Sequence, residues 1–427
     1  MKRNKAPKTD SKIAIGDIDP AIVRLRNNVP LYMIRAGSQP VIRMDITFRA
    51  GSWWQAKPLV ASSVISMLSE GTTKTSGKEI AGKLDYHGAY LNSSSDRDNA
   101  WISAYFLERH MDKIMPLIAE IIWEPVFPEQ EFRTYLARRK QLFSIEKTRV
   151  SNMARDHFAQ AIYGPDHPYG RILNISDFER ISREDLADFH SGFYNQDNCR
   201  IIVSGNFEEQ RLMALVDDFF GETLNAGVNA TDNGIRKQPS EKKQIYIPRK
   251  GAVQSALRVG KETFPRTHSR YPGLMVVNSL LGGHFGSRLM QNIREKKGYT
   301  YGIGSALIGL RNSGFIVIVS EVGTSYCKAT IREIYRELEK LRSKPVTKKE
   351  LELTRTHMLG DILREFDGPF ARAETIRNLA EHDLNSDFYR NLIKAIRNID
   401  PSEILYLAGE YLSPDSMYEI VAGERTQ

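Results

Sequence analysis

The sequence predicts an α+β protein built from two homologous domains, each a mostly antiparallel sheet backed by helices. Its 427 residues are too many for one ordinary domain and suit two of about 200 residues. An internal repeat supports this division, because residues 181–205 can be laid on residues 399–423 without a gap, so that Phe193 matches Tyr411. Each half then reads as strand, buried helix, second helix, two strands, long helices, closing helix and strand.

Hydrophobic periodicity and capping signals predict the elements of the first half. Residues 22–36 alternate around an Asn-Asn pair, which indicates a hairpin, and residues 41–50 alternate as another strand. Residues 59–68 are apolar on nearly every face, which predicts a buried helix. Ser76 and Glu79 have the spacing of a capping box. The remaining elements are strands over 89–95 and 100–106, a helix over 111–122 and a long helix that starts at Pro128.

Composition shifts along the chain predict its domain boundaries. Residues 1–17 are polar and are expected to form a flexible N-terminal arm. Residues 18–220 form the first predicted domain, and residues 241–427 form the second. Residues 221–240 are rich in Gly, Asn, Thr and Pro, which indicates a linker between them.

The overall charge and composition limit the possible partners. The net charge is +8, but basic residues are scattered or stand beside acids, as in Arg336-Glu337, so we expect no nucleic-acid partner. No apolar run is long enough to span a membrane and no signal peptide is evident, so we expect no membrane association. Cys199 and Cys327 lie in unlike contexts, which indicates free thiols and favours a cytoplasmic location.

The most informative stretch covers residues 281–305 in the second half. An apolar helix runs into Gly282 and Gly283, which predict a left-handed helix cap. The next helix ends in a basic cluster that includes Arg294, and a strand over residues 299–306 would carry Tyr301. A guanidinium and a phenol could therefore converge on one spot. The alternative is that Arg294 only caps its helix and Tyr301 only packs.

This stretch resembles the second-domain signature of the pitrilysin/insulinase/mitochondrial-processing-peptidase family of zinc metallopeptidases. That signature reads Gly-Gly, then Ser-Arg-Leu, then Ile-Arg-Glu-Lys-x-Gly-x-x-Tyr, and the resemblance extends over nearly the whole chain. It implies that the two halves face each other like a clam shell around a peptide chamber. It also implies that Arg294 and Tyr301 form a substrate-binding pair.

The residues before this pair resemble a shortened form of the glycine-rich loop in the non-catalytic subunit of the processing peptidase. The resemblance implies that this loop helps to capture substrate, and that two of its side chains could contact a peptide. A helix cap followed by a turn is the alternative interpretation. The loop residues are Gly282, Gly283, His284, Phe285 and Gly286.

Catalytic members of the family hold zinc with an H-x-x-E-H motif on the buried helix of the first half and with a later glutamate. In this chain the histidine positions fall on Ser62 and Ser66, the general-base position on Ile65 and the distal glutamate position on Leu142. Neutral hydroxyls are poor zinc ligands, and isoleucine cannot move a proton. A serine nucleophile would need a base and an acid that the sequence does not suggest. We therefore predict no metal site and no catalytic residues in this chain.

This combination predicts the non-catalytic, substrate-binding subunit of a heterodimeric zinc endopeptidase that cleaves peptides. The resemblance implies a homologous partner subunit that carries the zinc, with no cofactor in this chain. Two alternatives stay open: a catalytically inactive scaffold, and a homodimeric peptide-binding protein without a protease partner.

Overall fold

The computed structural model describes residues 18–222 and 235–424. The predicted arm, residues 1–17, lies outside the described residues, and so does most of the predicted linker, residues 221–240. The domain boundaries themselves stay a prediction. Within the described part of the chain, no helix is long and apolar enough to cross a membrane. Both cysteines are buried free thiols.

In its described residues, the first half contains a six-stranded sheet and seven α-helices. The strands are β1 (Ala21–Arg24), β2 (Pro30–Arg35), β3 (Val41–Phe48), β4 (Tyr90–Ser95), β5 (Ala100–Leu107) and β6 (Cys199–Gly205). The helices are α1 (Val60–Met67), α2 (Gly77–Tyr86), α3 (Met111–Trp123), α4 (Glu129–Glu146), α5 (Val150–Tyr163), α6 (Arg183–Phe193) and α7 (Glu209–Phe220). The sheet order is β1-β2-β6-β3-β5-β4, and only the β2–β6 pair is parallel.

The second half contains a five-stranded sheet and six α-helices within the described residues. The strands are β7 (Gln244–Pro248), β8 (Gln254–Thr263), β9 (Ile303–Gly309), β10 (Gly314–Gly323) and β11 (Tyr418–Gly423). The helices are α8 (Tyr271–Asn278), α9 (Cys327–Ser343), α10 (Lys348–Glu365), α11 (Pro369–Glu381), α12 (Asp387–Asn398) and α13 (Pro401–Tyr411). Two segments are π-helical: a first π segment, Ser279–Gly283, which continues α8, and a second, Met290–Lys296.

The predicted fold class is confirmed, because the two sheets share one topology. The second sheet has the order β7-β11-β8-β10-β9, which repeats the order β2-β6-β3-β5-β4 of the first. Matched helices agree in length: α6 and α13 have 11 residues each, and α4 and α10 have 18 each. The predicted capping box is also present, since the backbone N–H of Ser76 donates to Glu79 Oε2 at 2.9 Å.

The two halves face each other and exchange equivalent helices. Helix α5 of the first half packs on β8 and β11 of the second sheet, where Phe158 and Ile162 join a core that includes Phe315 and Ile420. Helix α11 of the second half packs on β2, β3 and β6 of the first sheet. Because α5 and α11 occupy matching places in the repeat, each sheet has one face covered by a helix from the other half.

The contact of α11 with the first sheet contains a buried network of charges. Arg43 Nε lies 2.8 Å from Asp45 Oδ2, and Arg377 Nη1 lies 2.6 Å from Glu381 Oε1. Glu374 of α11 pairs with both arginines. Three carboxylates therefore share two guanidiniums. Burial, opposed by Arg377, raises the pKa of Glu381 to about 7, so one carboxyl of the network binds a proton readily.

This network predicts a pH-dependent contribution of Glu381 to stability. The pKa of Glu381 is higher in the folded protein than in the unfolded chain, so the folded state binds the proton more tightly. The stability that this proton contributes is therefore present at low pH and is lost as pH rises through about 7. We expect the free energy of unfolding of the wild type, relative to Glu381→Gln, to fall by about 1–3 kcal/mol from about pH 5 to pH 8. Denaturant unfolding of both proteins at pH 5 and pH 8 measures this difference, and Glu339→Gln, at an exposed position, is the control. A difference that is independent of pH would contradict it.

Candidate functional site

Arg294 projects from the second π segment, Met290–Lys296. This geometry is rare and often occurs at functional sites. The Arg294 guanidinium lies over the ring of Phe285, 4.5 Å from its centroid. It makes no hydrogen bond or ion pair with any residue that the structure describes, so it does not bond the carbonyls at the end of its helix, as a capping role would require. Its donors remain available to another molecule.

Polar contacts anchor the helical turn that carries Arg294. Arg288 binds Glu350 of α10 in a two-pronged ion pair, with distances of 2.6 Å and 3.0 Å. The amide of Asn292 donates to Glu333 Oε2 at 3.0 Å and to Glu337 Oε1 at 2.7 Å, both on α9. These bonds to two separate helices fix the position of the segment, and therefore of the Arg294 backbone.

Tyr301 lies in a turn that precedes β9, and the prediction that it lies on the strand is wrong. The strand begins at Ile303 because the Thr300 hydroxyl holds the preceding residues in a turn. That hydroxyl donates to the carbonyl of Glu321 on β10 at 2.7 Å and accepts from the N–H of Gly302 at 3.1 Å. The Tyr301 side chain is 96% exposed, which excludes a packing role, and its hydroxyl has no partner among the described residues.

Arg294 and Tyr301 line the same surface cleft, of about 830 Å³, which we call the Arg–Tyr cleft. The rings of Tyr299 and Tyr326 stack in its wall with centroids 5.1 Å apart. Exposed Val253 also lines it. The structure therefore brings the two predicted residues together, in a cleft with aromatic and apolar walls that suits a peptide side chain.

The left-handed cap predicted at Gly282 and Gly283 is wrong. Neither residue has a positive φ, because the helix continues through both as the first π segment, Ser279–Gly283. Gly282 is needed for a different reason. A Cβ at this position would lie 2.5 Å from the backbone nitrogen of Ser305 on β9. Its absence lets the π segment approach the outer edge of β9, where the Asn278 amide donates to the Ser305 carbonyl at 3.3 Å.

The rest of the predicted loop divides into an exposed residue and two that serve the local structure. His284 Nδ1 lies 2.9 Å from the Ser279 carbonyl, and burial lowers the pKa of its ring, which favours a neutral imidazole. The carbonyl of Gly286 accepts from the Gln291 amide at 2.8 Å. Phe285 is exposed beside Arg294. Of the three, Phe285 alone has a large exposed side chain.

The residues at the family's zinc positions do not fit a metal ion. The Ser62 hydroxyl donates to the Leu59 carbonyl at 3.1 Å, and the Ser66 hydroxyl donates to the Ser62 carbonyl at 2.7 Å, so both are bound to their own helix. Ile65 is buried in the core, and Leu142 is an exposed apolar residue. Across residues 18–222 and 235–424, no group of three or more His, Cys, Asp or Glu side chains could hold a metal ion.

Two models of one protein family match the chain. The model described as insulinase (peptidase family M16) matches residues 46–173, and the model described as the peptidase M16 inactive domain matches residues 180–358. Together they cover more than half of the chain. The chain belongs to the peptidase M16 family. Its fold is that of an M16 peptidase of the inactive type. Its sequence contains no H-x-x-E-H motif.

The curated relatives include proteins named as zinc proteases and one named as an inactive metalloprotease. The uncharacterized zinc protease YmxG of Bacillus subtilis is 26% identical over 70% of this chain and 72% of its own length. An uncharacterized zinc protease of Rickettsia felis is 23% identical over 92% of this chain and 95% of its own length. The probable inactive metalloprotease YmfF of Bacillus subtilis is 23% identical over 72% of each chain.

Two solved structures share the fold of this M16 chain. A crystal structure of a peptidase M16 inactive domain from Pseudomonas fluorescens has a TM-score of 0.84 and 21% identity, and covers 95% of this chain and 98% of that one. A crystal structure of a protease from Helicobacter pylori has a TM-score of 0.82 and 19% identity, with coverage of 94% and 99%. The similarity therefore extends over both halves.

The structure adds residues to the site that sequence reasoning missed. Thr300 sets the position of Tyr301, and Tyr326 forms part of the cleft wall through its contact with Tyr299. A hydroxyl residue beside a turn is a known turn signal, so Thr300 could have been found from sequence. Tyr326 could not, because it comes from the turn after β10, and only the fold brings it next to Tyr299.

The close approach at Gly282 predicts that Gly282→Ala destabilises the cleft. The added Cβ would push the first π segment away from β9, since the Ser305 nitrogen cannot move independently of its strand. We expect the free energy of unfolding to fall by about 1–3 kcal/mol. Gly360→Ala on α10, where a Cβ meets nothing within 4 Å, is the matched control and should be neutral or stabilising. Equal stability of the two variants would argue against the close approach.

The occupied hydroxyls at Ser62 and Ser66 predict that the purified chain binds zinc only substoichiometrically. Elemental analysis after incubation with zinc chloride and desalting tests this, with an M16 protein that carries H-x-x-E-H as the positive control. One tightly held zinc per chain, lost on adding a chelator, would show that the described residues form a metal site after all.

Proposed function

We propose that this chain is the non-catalytic, substrate-binding subunit of a heterodimeric zinc endopeptidase. The observation that carries the proposal is the pairing of Arg294 and Tyr301 in one cleft, with no partner for either guanidinium or phenol among the described residues. The same chain has hydroxyls bonded to their own helix where metal ligands would stand. Its partner would be a homologous M16 subunit with the H-x-x-E-H motif, and both would be cytoplasmic.

The proposed role of this chain is to bind and orient a peptide across from the partner's metal. The partner's zinc would supply the activated water. Arg294, held over Phe285, would donate hydrogen bonds to a main-chain carbonyl of the peptide near the scissile bond. Tyr301 would donate its phenolic proton in a hydrogen bond to the oxygen that becomes negative when the scissile carbonyl is attacked. Neither group has to break an internal hydrogen bond before it donates to the peptide.

The proposed substrate is a short or unfolded peptide that adds as a strand to a sheet edge. In this chain, β9 is an edge strand, but the first π segment lies along it and Asn278 bonds its Ser305 carbonyl. Because the scissile bond must lie at the partner's zinc, strand addition would take place on the partner's sheet. This chain would then supply its two donors from the opposite side of the peptide.

A catalytically inactive scaffold or peptide-binding protein of the same fold is the second candidate. The vacant metal positions favour it equally well, and one relative is named a probable inactive metalloprotease. Purification of the tagged chain separates the candidates. A protease subunit would bring a zinc-bearing homologue with it, a scaffold would bring a larger complex, and a lone peptide-binding protein would associate with a second copy of itself.

The mixed complex provides the direct test of Tyr301. We expect Tyr301→Phe to lower the turnover of a peptide by about 10²–10³-fold, because that is the usual effect of removing one oxyanion donor. The fold should be unchanged, since the Tyr301 side chain is 96% exposed. Tyr86→Phe, at another exposed tyrosine in the first half, is the matched control and should keep full turnover. Full turnover of the Tyr301→Phe complex would refute the role given to the phenol.

A further inference from the structure

A second cleft opens beside the Arg–Tyr cleft and contains an arginine that the sequence did not mark. This side cleft has a volume of about 590 Å³, and Tyr301 and Glu321 line both clefts, so the two adjoin; we call them together the groove. The side cleft lies on the face of the second sheet against which α5 packs, chiefly on β8 and β11. Arg258 of β8 lines it and is half-buried.

Arg258 has no internal partner within the part of the chain that the structure describes: no carboxylate lies within ion-pair distance, and its guanidinium makes no hydrogen bond. The charges around it do not neutralise it. Arg155 is already paired with Asp156 at 2.9 Å, and Arg97, which lies over the Phe315 ring, offsets Glu321. Burial, with Arg155, lowers the pKa of Arg258 to about 10. A half-buried guanidinium without a partner is unfavourable for folding alone.

The start of α5 provides a second, independent feature on the same cleft. Ser151, in the first turn of this 14-residue helix, lines the side cleft together with Arg258. No side chain caps the helix at Arg149. The N–H groups of a first helical turn and the positive end of the helix dipole both favour an anion. A guanidinium and a helix start therefore lie on one cleft wall that is otherwise largely apolar.

The internal repeat shows what is different about Arg258. At the matching position of the first sheet stands Asp45, because Asp45 pairs with Ile202 and Arg258 pairs with Ile420, its equivalent in the repeat. Asp45 lies 2.8 Å from Arg43, in the charge network that includes Arg377 of α11. The first half thus satisfies this position from within the chain. The second half places a cation there and supplies no anion. The missing partner is therefore expected to come from the bound molecule.

We propose that Arg258 forms a carboxylate-binding subsite of the peptide groove, which selects peptides that carry a carboxylate near the residue held by Tyr301. The inference rests on the proposed function, since it assumes that the groove binds peptides. Arg258 lies opposite Gly304 with β10 between them, roughly 10 Å away across the sheet, and Tyr301 precedes Gly304 by three residues, or roughly 10 Å of chain. The two offsets together place Arg258 roughly 14 Å from the Tyr301 turn, which corresponds to about four residues of extended chain. The carboxylate can belong to an acidic side chain or to the peptide's C-terminus.

Equilibrium binding to the full chain tests the subsite. The probes are fluorescein-labelled decapeptides of one sequence in four forms, with Asp or Asn at an internal position and with a free or amidated C-terminus. We expect a carboxylate to tighten binding by about 10–100-fold, the usual effect of a charged hydrogen bond. Arg258→Gln should remove that preference and leave binding of the fully amidated Asn peptide unchanged, which also shows that the variant is folded.

Three further variants sharpen the comparison. Arg332→Gln removes the same charge from an exposed position on α9 and should keep the preference. Arg258→Lys, which keeps the charge without the fork of donors, should retain part of it. Glu321→Gln should strengthen binding of carboxylate peptides, because it removes a negative charge from the lining of the cleft.

The outcomes separate this inference from the function on which it rests. If the Asn peptides bind more weakly than the Asp peptides, the subsite binds an acidic side chain. If the amidated peptides bind more weakly than those with a free C-terminus, it binds the C-terminal carboxylate. Either result supports the proposal. Equal binding of all four peptides, unaffected by Arg258→Gln, overturns the carboxylate subsite and leaves the peptide-binding function standing. No binding of any peptide overturns both.

Discussion

The exchange of α5 and α11 between the two halves is the constraint on which the rest of the structure depends. Each helix completes the buried face of a sheet to which it does not belong, so the halves cannot separate without exposing both faces. The two contacts use different chemistry. On the α5 side, Phe158 meets Phe315 edge to face, with ring centroids 5.8 Å apart. On the α11 side, Arg377 and Glu381 lie in the buried charge network. Apolar burial has no directional requirement, whereas the charged groups on the α11 side must meet in defined positions to pair.

The groove exists because α5 is too narrow to cover its sheet. The helix crosses β8 and β11 and leaves β9 and β10 open at the end that carries Tyr301. Edge strand β9 would then be free to pair with other chains, but the first π segment lies against it, and the missing Cβ of Gly282 permits that contact. The same packing that joins the halves therefore leaves an open sheet face beside a protected sheet edge.

Sequence reasoning recovered the features that local signals or the repeat encode. The repeat of residues 181–205 gave two domains of one topology, and the Ser76 capping box formed as expected. Sequence reasoning failed where a contact with a residue distant in sequence determines the local geometry. Two glycines in sequence predicted a helix cap, but Gly282 is set by the approach of Ser305 from β9. From the sequence, Arg258 can be recognised only as one residue of a strand, because its lack of a partner depends on where α5 crosses the second sheet.

The groove residues also differ from the rest of the chain in what they contribute to folding. Ser62 and Ser66, at the family's metal positions, donate hydrogen bonds to carbonyls of their own helix region, so neither hydroxyl is left unsatisfied. Arg294 and Arg258 form no ion pair among the described residues, and Tyr301 is almost fully exposed. These three side chains therefore add little to stability, and a half-buried guanidinium opposes it. Side chains that do not serve the fold, gathered in one groove, are best explained by the molecule that the groove binds.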